Sequence, residues 1–468
     1  MNLQKLLSKP EGKTLEFKRD LSSLKPILKT LVAFASTAGG TIIIGRSDDG
    51  KITGVSDVLR EEERLASVIA DSIRPSLMPE LEVCSYEGKP LLIATVPHWR
   101  GPFYLKAEGP EKGVYVRLGS TNRMAGDELL AELQRSLGGS TYDQIPIPDV
   151  TMHDLDMGRI EQAFASVGRV VDERKLETMG VLVPYTGKLT VSKGGIILFG
   201  CDKVRESFFP DARVSCARFR GTDRTDFIDC LDIEGSVFNA MDEVPRFIRR
   251  NTRMAARIGG MRRQDIPEYP EVAIREVLVN AIAHANYSLT GMHILIAIYS
   301  DRMEIQNPGM LPFGMTMDDF RSGVSKVRNR VIVRVFRELG LMEEWGSGYR
   351  RVLAACQDMG YPNPDWQELG SAFRVTFYPL SESNVPVNVP VNVPVNVPVN
   401  VPVNVPVNKR QQWFLNQLGA GKRVKSIDLA HHWNVTEKTA KRDIADLKNQ
   451  GMIEFVGSPK TGVYHFKE

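Results

Sequence analysis

Glu276, Asn280 and His284 recur at every fourth position in the stretch Tyr269-Pro-Glu-Val-Ala-Ile-Arg-Glu-Val-Leu-Val-Asn-Ala-Ile-Ala-His284. At 3.6 residues per turn they share one face of a helix whose neighbouring positions are mostly apolar. An acid, an amide and an imidazole on one stripe of a buried helix cost free energy unless they meet water, a metal or phosphate. Two glycine loops follow in order, Asn307-Pro-Gly309-Met-Leu-Pro after an apolar strand at 303–305, and Glu344-Trp-Gly346-Ser-Gly348-Tyr-Arg-Arg before a further helix. Glycines at such loops let backbone N–H groups approach phosphate. A closing strand is expected at 372–378.

Charge also gathers near the start, in Glu11-Gly-Lys-Thr-Leu-Glu16-Phe-Lys18, the glycine-rich junction ending Gly39-Gly40-Thr-Ile-Ile-Ile-Gly45, and Asp48-Asp49-Gly50. The elements that must position these groups can be read locally. Pro26 suits the first position of a helix, Ile27, Leu28, Leu31, Val32 and Phe34 give it an apolar stripe, and Gly39-Gly40 stop it. A buried strand over 41–45 then leads through an Asp-Asp-Gly turn to a strand over 51–55.

This segment resembles the AlbA-type (AlbA_2, divergent AAA-4) domain of the Schlafen family over about residues 8–125. The stretch Gly113-Val-Tyr-Val-Arg117-Leu-Gly-Ser-Thr-Asn-Arg123 fits its closing strand and basic turn. The resemblance implies a nucleic-acid-binding surface, which in some members is a metal-dependent ribonuclease. Matched by motif, the metal-binding and catalytic acids would be Glu11, Glu16 and Asp49. Three converging carboxylates would make a hard-ion site for Mg2+ or Mn2+. Lys18 and Arg19 would then hold backbone phosphates, with Arg117 and Arg123 as further contacts. The alternative makes Glu16 and Lys18 an exposed ion pair and Asp48-Asp49-Gly50 only a favourable turn. Trp99, Phe103 and Tyr104, beside Arg100 and Lys106, are either stacking platforms for bases or a satellite core under a loop.

Residues 268–378 resemble the GHKL ATPase superfamily, in the divergent RecG-related branch found beside AlbA-type domains. That resemblance implies ATP and Mg2+, with Asn280 holding the ion, Glu276 orienting the attacking water, and Gly346 and Gly348 admitting phosphate. Asn307 and Gly309 form the first glycine motif, where an aspartate is usual before the glycine; an amide can still accept from the adenine amino group. The other reading is a retired site that keeps Asn280 as a structural group. No G-x-x-x-x-G-K-[ST] loop occurs in the sequence.

The remaining chain reads as connection, spacer and a third module. With 468 residues and ordinary apolar content, roughly two to four domains are expected. The net charge of +3 is too small to signal nucleic acid by itself, so any footprint must be local. Five scattered cysteines read as reduced core residues, and no apolar run reaches the length of a membrane span or leader, so cytoplasmic residence is the expectation. Gly194-Gly-Ile-Ile-Leu-Phe-Gly200 reads as a buried strand and 237–257 as a long basic helix. Six Asn-Val-Pro-Val copies over 384–407 form a stiff spacer, or a tract that pairs along its valine edge.

Residues 409–468 carry eleven lysines and arginines against six acids. Helical patterns at 411–418, 426–432 and 436–449, then strands at 452–456 and 463–466, resemble a winged helix-turn-helix. Lys438, Lys441 and Arg442 would face DNA, with Lys460 on the wing. The expected fold is therefore an α/β (α+β) multidomain chain. Its parts are an AlbA-like domain at 1–130, a connecting region at 145–265, a GHKL-like α/β sandwich at 266–380, a linker at 381–408 and a winged helix at 409–468. The expected function is a nucleic-acid-binding transcriptional regulator responsive to ATP; the alternative is a metal-dependent endonuclease of RNA or DNA in stress or phage defence. A homodimer or higher homo-oligomer is expected, because two AlbA-like lobes make one groove in the family and one such lobe is read in this sequence.

Overall fold

A computed structural model describes residues 3–233, 235–259, 262–343, 346–380, 408–419, 424–449, 452–456 and 463–466. The chain divides into two compact units, Met1–Pro386 and Val387–Glu468. The Asn-Val-Pro-Val repeats and Lys460 lie outside the described residues.

The first unit opens with a four-stranded sheet in the order Leu15–Lys18, Gly40–Ile44, Lys89–Val96, Glu80–Tyr86. Its first pair is parallel, with Leu15 opposite Thr41 and Lys18 opposite Ile44, and the other pairs are antiparallel. Parallel neighbours need a crossover, and the helix Leu24–Thr37 supplies it. That helix buries Ile27, Leu31, Val32 and Phe34 completely. Each such side chain contributes about 1.5–3 kcal/mol of burial. Pro26 occupies the third helical position rather than the first, still within the turn whose N–H groups lack helical partners. Gly39, at φ +76°, ends the helix, and a Cβ on Gly40 would stand 2.7 Å from the Phe34 ring.

The expected strand at 51–55 does not form. A single bridge joins Arg46 to Ile52, and Gly50 at φ +86° completes the turn between them. The apolar pattern there is too short to outweigh a turn closed by its own side chains: Ser47 donates to the Lys51 carbonyl at 3.0 Å, and Asp49 accepts the Lys51 N–H at 3.3 Å.

The largest sheet has six strands in the order Phe227–Ile233, Val214–Phe219, Ile294–Ile298, Met303–Pro308, Ala372–Phe377, Asp365–Leu369. Helices Ala240–Asn251, Glu271–His284 and Gly348–Gln357 bury their apolar faces in the core it shares. Two expectations for the connecting region are corrected. Gly194–Gly200 is not a strand: Lys193–Phe199 is a helix, capped by Ser192 Oγ, which accepts the Gly195 N–H at 3.1 Å. Ile196, Ile197, Leu198 and Phe199 are all fully buried, and a segment buried on every side carries no periodicity that distinguishes helix from strand. The long helix over 237–257 is shorter, Ala240–Asn251, and the chain continues as a hairpin of Met254–Gly259 with Arg262–Pro267. Arg249 and Arg250 close the helix on Glu271 and Asp229 at 2.7 and 2.8 Å.

The second unit has helices Lys409–Gly419, Ser426–Trp433 and Glu437–Asn449, then an antiparallel hairpin of Ile453–Val456 with Val463–Phe466. Asn434 at φ +49° turns the chain between the last two helices, and Thr436 Oγ1 accepts the Thr439 N–H at 3.3 Å. Phe414, Leu429, Ala440 and Leu447 fill its core. Asp443, buried beneath, binds Arg410 at 2.6 Å and so ties the first helix to the third. Among the described residues, no helix is long and apolar enough to cross a membrane.

Candidate functional site

The helix Glu271–His284 sets Glu276, Asn280 and His284 along one wall of a cavity. Across from it the helix Gly348–Gln357 begins at its glycine. A Cβ there would lie 3.0 Å from Glu276 Oε1 and 3.2 Å from Asn280 Nδ2, so any side chain would crowd both groups. Asn280 Nδ2 donates to the Glu276 carbonyl at 2.8 Å and to its carboxylate at 3.1 Å, leaving the amide oxygen without a partner among the described residues. Arg351 donates to both Glu276 oxygens at 2.9 Å. Burial, helped by Arg328, holds the His284 imidazole down to about 4, so it is neutral near pH 7. Apolar side chains, among them Leu311, Phe320, Tyr349 and Phe373, line the cavity's other surfaces.

The glycine loops divide between this cavity and its supports. Gly346 lines it at φ +63°, packed so tightly on Gly323 that a Cβ would overlap that carbonyl. Asn307 also lines it, buried, its amide donating to the Pro308 carbonyl at 3.2 Å. Gly309 does not line the cavity, contrary to expectation. At φ +97° it leaves room for Arg328, whose Nη1 would lie 2.5 Å from a Cβ there. Sequence reasoning missed Lys326, Arg328 and Arg351. The first two line the cavity and Arg351 grips Glu276; the only sequence signal was basic residues beside the glycine loops.

The amino-terminal carboxylates do not come together, and the three-acid metal site is corrected. Glu16 is only 6 % exposed and is neutralised by Arg117, itself 1 % exposed, and by Lys18. Glu11 folds onto its own loop and accepts the Phe17 N–H at 2.8 Å. Asp49 sits on the exposed turn, where Lys51 above all, with Ser47, holds its carboxyl down to about 2. Among the described residues no three His, Cys, Asp or Glu side chains are grouped to hold a metal. The donor set here therefore does not fit Mg2+ or Mn2+, because its best-placed acid is already charge-compensated.

Arg117 is corrected with it. Its other donors reach the Gly12 carbonyl at 3.0 Å and Asn122 Oδ1 at 2.9 Å, so it is a buried brace and not a surface contact. Lys18 is half-buried against Glu16, while Arg19 and Arg123 stand exposed. Of the aromatics, Phe103 belongs to the core and Trp99 stands in solvent at 51 % exposure. The signature loop also reaches into the rest of its unit. Lys13 Nζ binds Glu368 at 2.8 Å and the Met315 carbonyl at 3.2 Å, and the Gly314 N–H donates to the Thr37 carbonyl at 2.6 Å.

In the second unit Lys438, Lys441 and Arg442 are exposed on the third helix, opposite the buried Ala440, Ile444 and Leu447. Lys441 pairs with Glu437 one turn earlier, at 2.8 Å.

Comparisons with known proteins fall on the same regions. A family model described as "Schlafen, AlbA_2" matches residues 11–126, and one described as "Putative ATP-dependent DNA helicase recG C-terminal" matches residues 291–377. Among solved structures, the DIP2311 protein of Corynebacterium diphtheriae is 16% identical, with 99% of this chain and 98% of that one covered at a TM-score of 0.42. The N-terminal domain of a "Putative ATP-dependent DNA Helicase RecG-related Protein" from Nitrosomonas europaea is 30% identical over 26% of this chain and 90% of that one, with a TM-score of 0.22. The comparison with curated proteins gave no match. Two sequence families thus meet in one chain: it carries a Schlafen AlbA_2 domain over residues 11–126 and a RecG-related, ATPase-like domain over residues 291–377.

Proposed function

We propose that this protein is a nucleic-acid-binding regulator, transcriptional in output, whose ATPase-like domain responds to ATP. One observation carries the reading: Lys438, Lys441 and Arg442 are presented to solvent by the second helix of a helix-turn-helix, followed by a hairpin. In a winged helix that helix enters the major groove, and exposed cations on it bind phosphate. Replacing all three with alanine is expected to weaken duplex binding at least tenfold near 0.15 M salt and to lower the salt slope by about 2 to 3. Fluorescence anisotropy across a salt series reads both; unchanged affinity would place duplex binding on another surface.

The cavity at Glu276 and Asn280 supports the nucleotide part of the proposal. Gly348 keeps open a cradle that a Cβ would fill, and the unpartnered Asn280 oxygen is a hard donor suited to Mg2+. When bound, Mg2+ would shield the charge on a nucleotide's phosphates. Asn280 would hold the ion, Gly346 and Gly348 would admit phosphate, and Asn307 would face the base. Glu276, held by Arg351, is oriented on the cavity wall. Calorimetry with ATP and Mg2+ is expected to show binding by wild type that falls at least tenfold in Asn280→Ala; no heat with wild type removes ATP from the reading.

An endonuclease is the weaker alternative, since Glu16 is consumed by Arg117 and Lys18. Metal-dependent cleavage of RNA or DNA by wild type, lost in Glu16→Ala with binding intact, would replace the regulator. A homodimer that pairs two AlbA_2 lobes belongs to the proposal and is read by analytical ultracentrifugation.

A further inference from the structure

A second cavity, of about 160 Å³, lies where the AlbA_2 domain, the helix Asp127–Leu137 and the RecG-related domain meet. Arg100, Arg135, Lys326, Arg328 and Arg330 line it, together with His98 and a single acid, Glu132. That carboxylate is already divided, 3.4 Å from Arg328 Nε and 3.0 Å from the Asn286 amide that donates to it. The cations are held in place mostly by neutral groups. Lys326 donates to the Phe313 carbonyl, Arg330 to the Gly139 carbonyl at 2.5 Å, and Arg135 lies 5.3 Å from the centre of the Tyr142 ring.

Two side chains keep donors that make no hydrogen bond, although Arg328 is ion-paired with Glu132 and its Nη1 donates to the His284 carbonyl at 3.1 Å. Arg328 is 9 % exposed, yet its Nε makes no hydrogen bond. Arg100, exposed at the other wall, has no hydrogen bond or ion pair among the described residues. Like charges gathered in one cavity repel and are costly to desolvate. Burial accordingly pushes Lys326, which also faces Arg100, and Arg135 below their ordinary ranges, while His98 is held down to about 4, first by burial and then by Lys326. His98 is therefore neutral near pH 7.

We propose that this cavity binds a compact polyphosphate at the seam between the two domains. Five cations against one carboxylate leave an excess that a monoanion cannot balance, whereas a triphosphate chain of charge about −3 to −4 does. Guanidinium forks match phosphate oxygens two at a time, and four of the five cations are arginines. The ligand is either free inorganic polyphosphate or the phosphate tail of a nucleotide. Either one would bridge Arg100 of the AlbA_2 domain to Arg328 and Arg330 of the RecG-related domain. Binding would therefore fasten the two domains to each other. The site adjoins the Glu276–Asn280 cavity, with Lys326 and Arg328 in both linings, but its other cations lie outside that cavity, so each can be lost separately.

Isothermal titration of the full chain with sodium tripolyphosphate tests this. One-to-one binding is expected in wild type and in Asn280→Ala, with at least a tenfold loss in Arg100→Ala/Arg135→Ala. Arg100→Ala alone, which breaks no bond, should weaken binding without changing the melting temperature, so a folding defect cannot imitate the result. Competition by ATP in Asn280→Ala identifies the nucleotide tail as a source; its absence identifies free polyphosphate. The proposal is overturned by no binding, by equal competition from sulfate, or by binding that disappears in Asn280→Ala and survives in the arginine variants.

Discussion

Arg117→Ala is expected to lower the unfolding free energy by about 3–5 kcal/mol, because it leaves the Glu16 carboxylate buried with only Lys18 beside it. Three further connections go with that side chain: the Gly12 carbonyl, Asn122, and the Phe34 ring 5.3 Å below the guanidinium. Calorimetric melting of the full chain reads the loss. Replacing both partners by apolar residues of similar shape, Glu16→Leu with Arg117→Met, should recover much of the stability, since a buried ion pair is often worth little more than its hydrophobic substitute. A nucleic-acid contact would behave oppositely. If Arg117→Ala melts like wild type but binds nucleic acid tenfold more weakly, the side chain is a ligand contact and the buried-brace account fails.

Asp143→Ala should cost about 3 kcal/mol, through backbone donors far away in sequence. Asp143 is fully buried and accepts the N–H groups of Arg330, Val331 and Ile332 at 3.1, 2.6 and 3.1 Å. These are the first donors of the helix Arg330–Glu338, which have no partner inside the helix. Burial pushes the Asp143 carboxyl above its ordinary range, against the pull of Thr141 and those N–H groups. Asp143→Asn keeps one acceptor oxygen and should lose about half as much. Equal losses in the two variants would show that charge, and not acceptor geometry, holds the helix start.

The cavity was legible where its chemistry followed local periodicity. Glu276 and Asn280 announce themselves because a four-residue spacing on an apolar helix is visible in one dimension, and Gly348 because a helix starts behind it. Arg351 was not, since its grip on Glu276 crosses 75 positions and depends on how two helices pack. The same limit explains the amino-terminal site. The order Glu11, Glu16, Asp49 is consistent with convergence, but only its partner Arg117, 101 positions away, reveals that Glu16 is spent internally. At Gly194–Gly200 the reading failed for a different reason: complete burial erases the alternation that separates strand from helix, and Ser192, a capping residue, was the remaining clue.

Lys13 belongs to the AlbA_2 signature, yet its ammonium is anchored to Glu368 and to the Met315 carbonyl, inside the RecG-related match. The limits of a sequence family record what was inherited together. They do not mark what melts together. A polypeptide cut near residue 130 would keep every AlbA_2 motif and still present a severed surface at Lys13 and Thr37. Its behaviour in solution would describe the fragment, because those residues belong to a compact unit that runs from Met1 to Pro386.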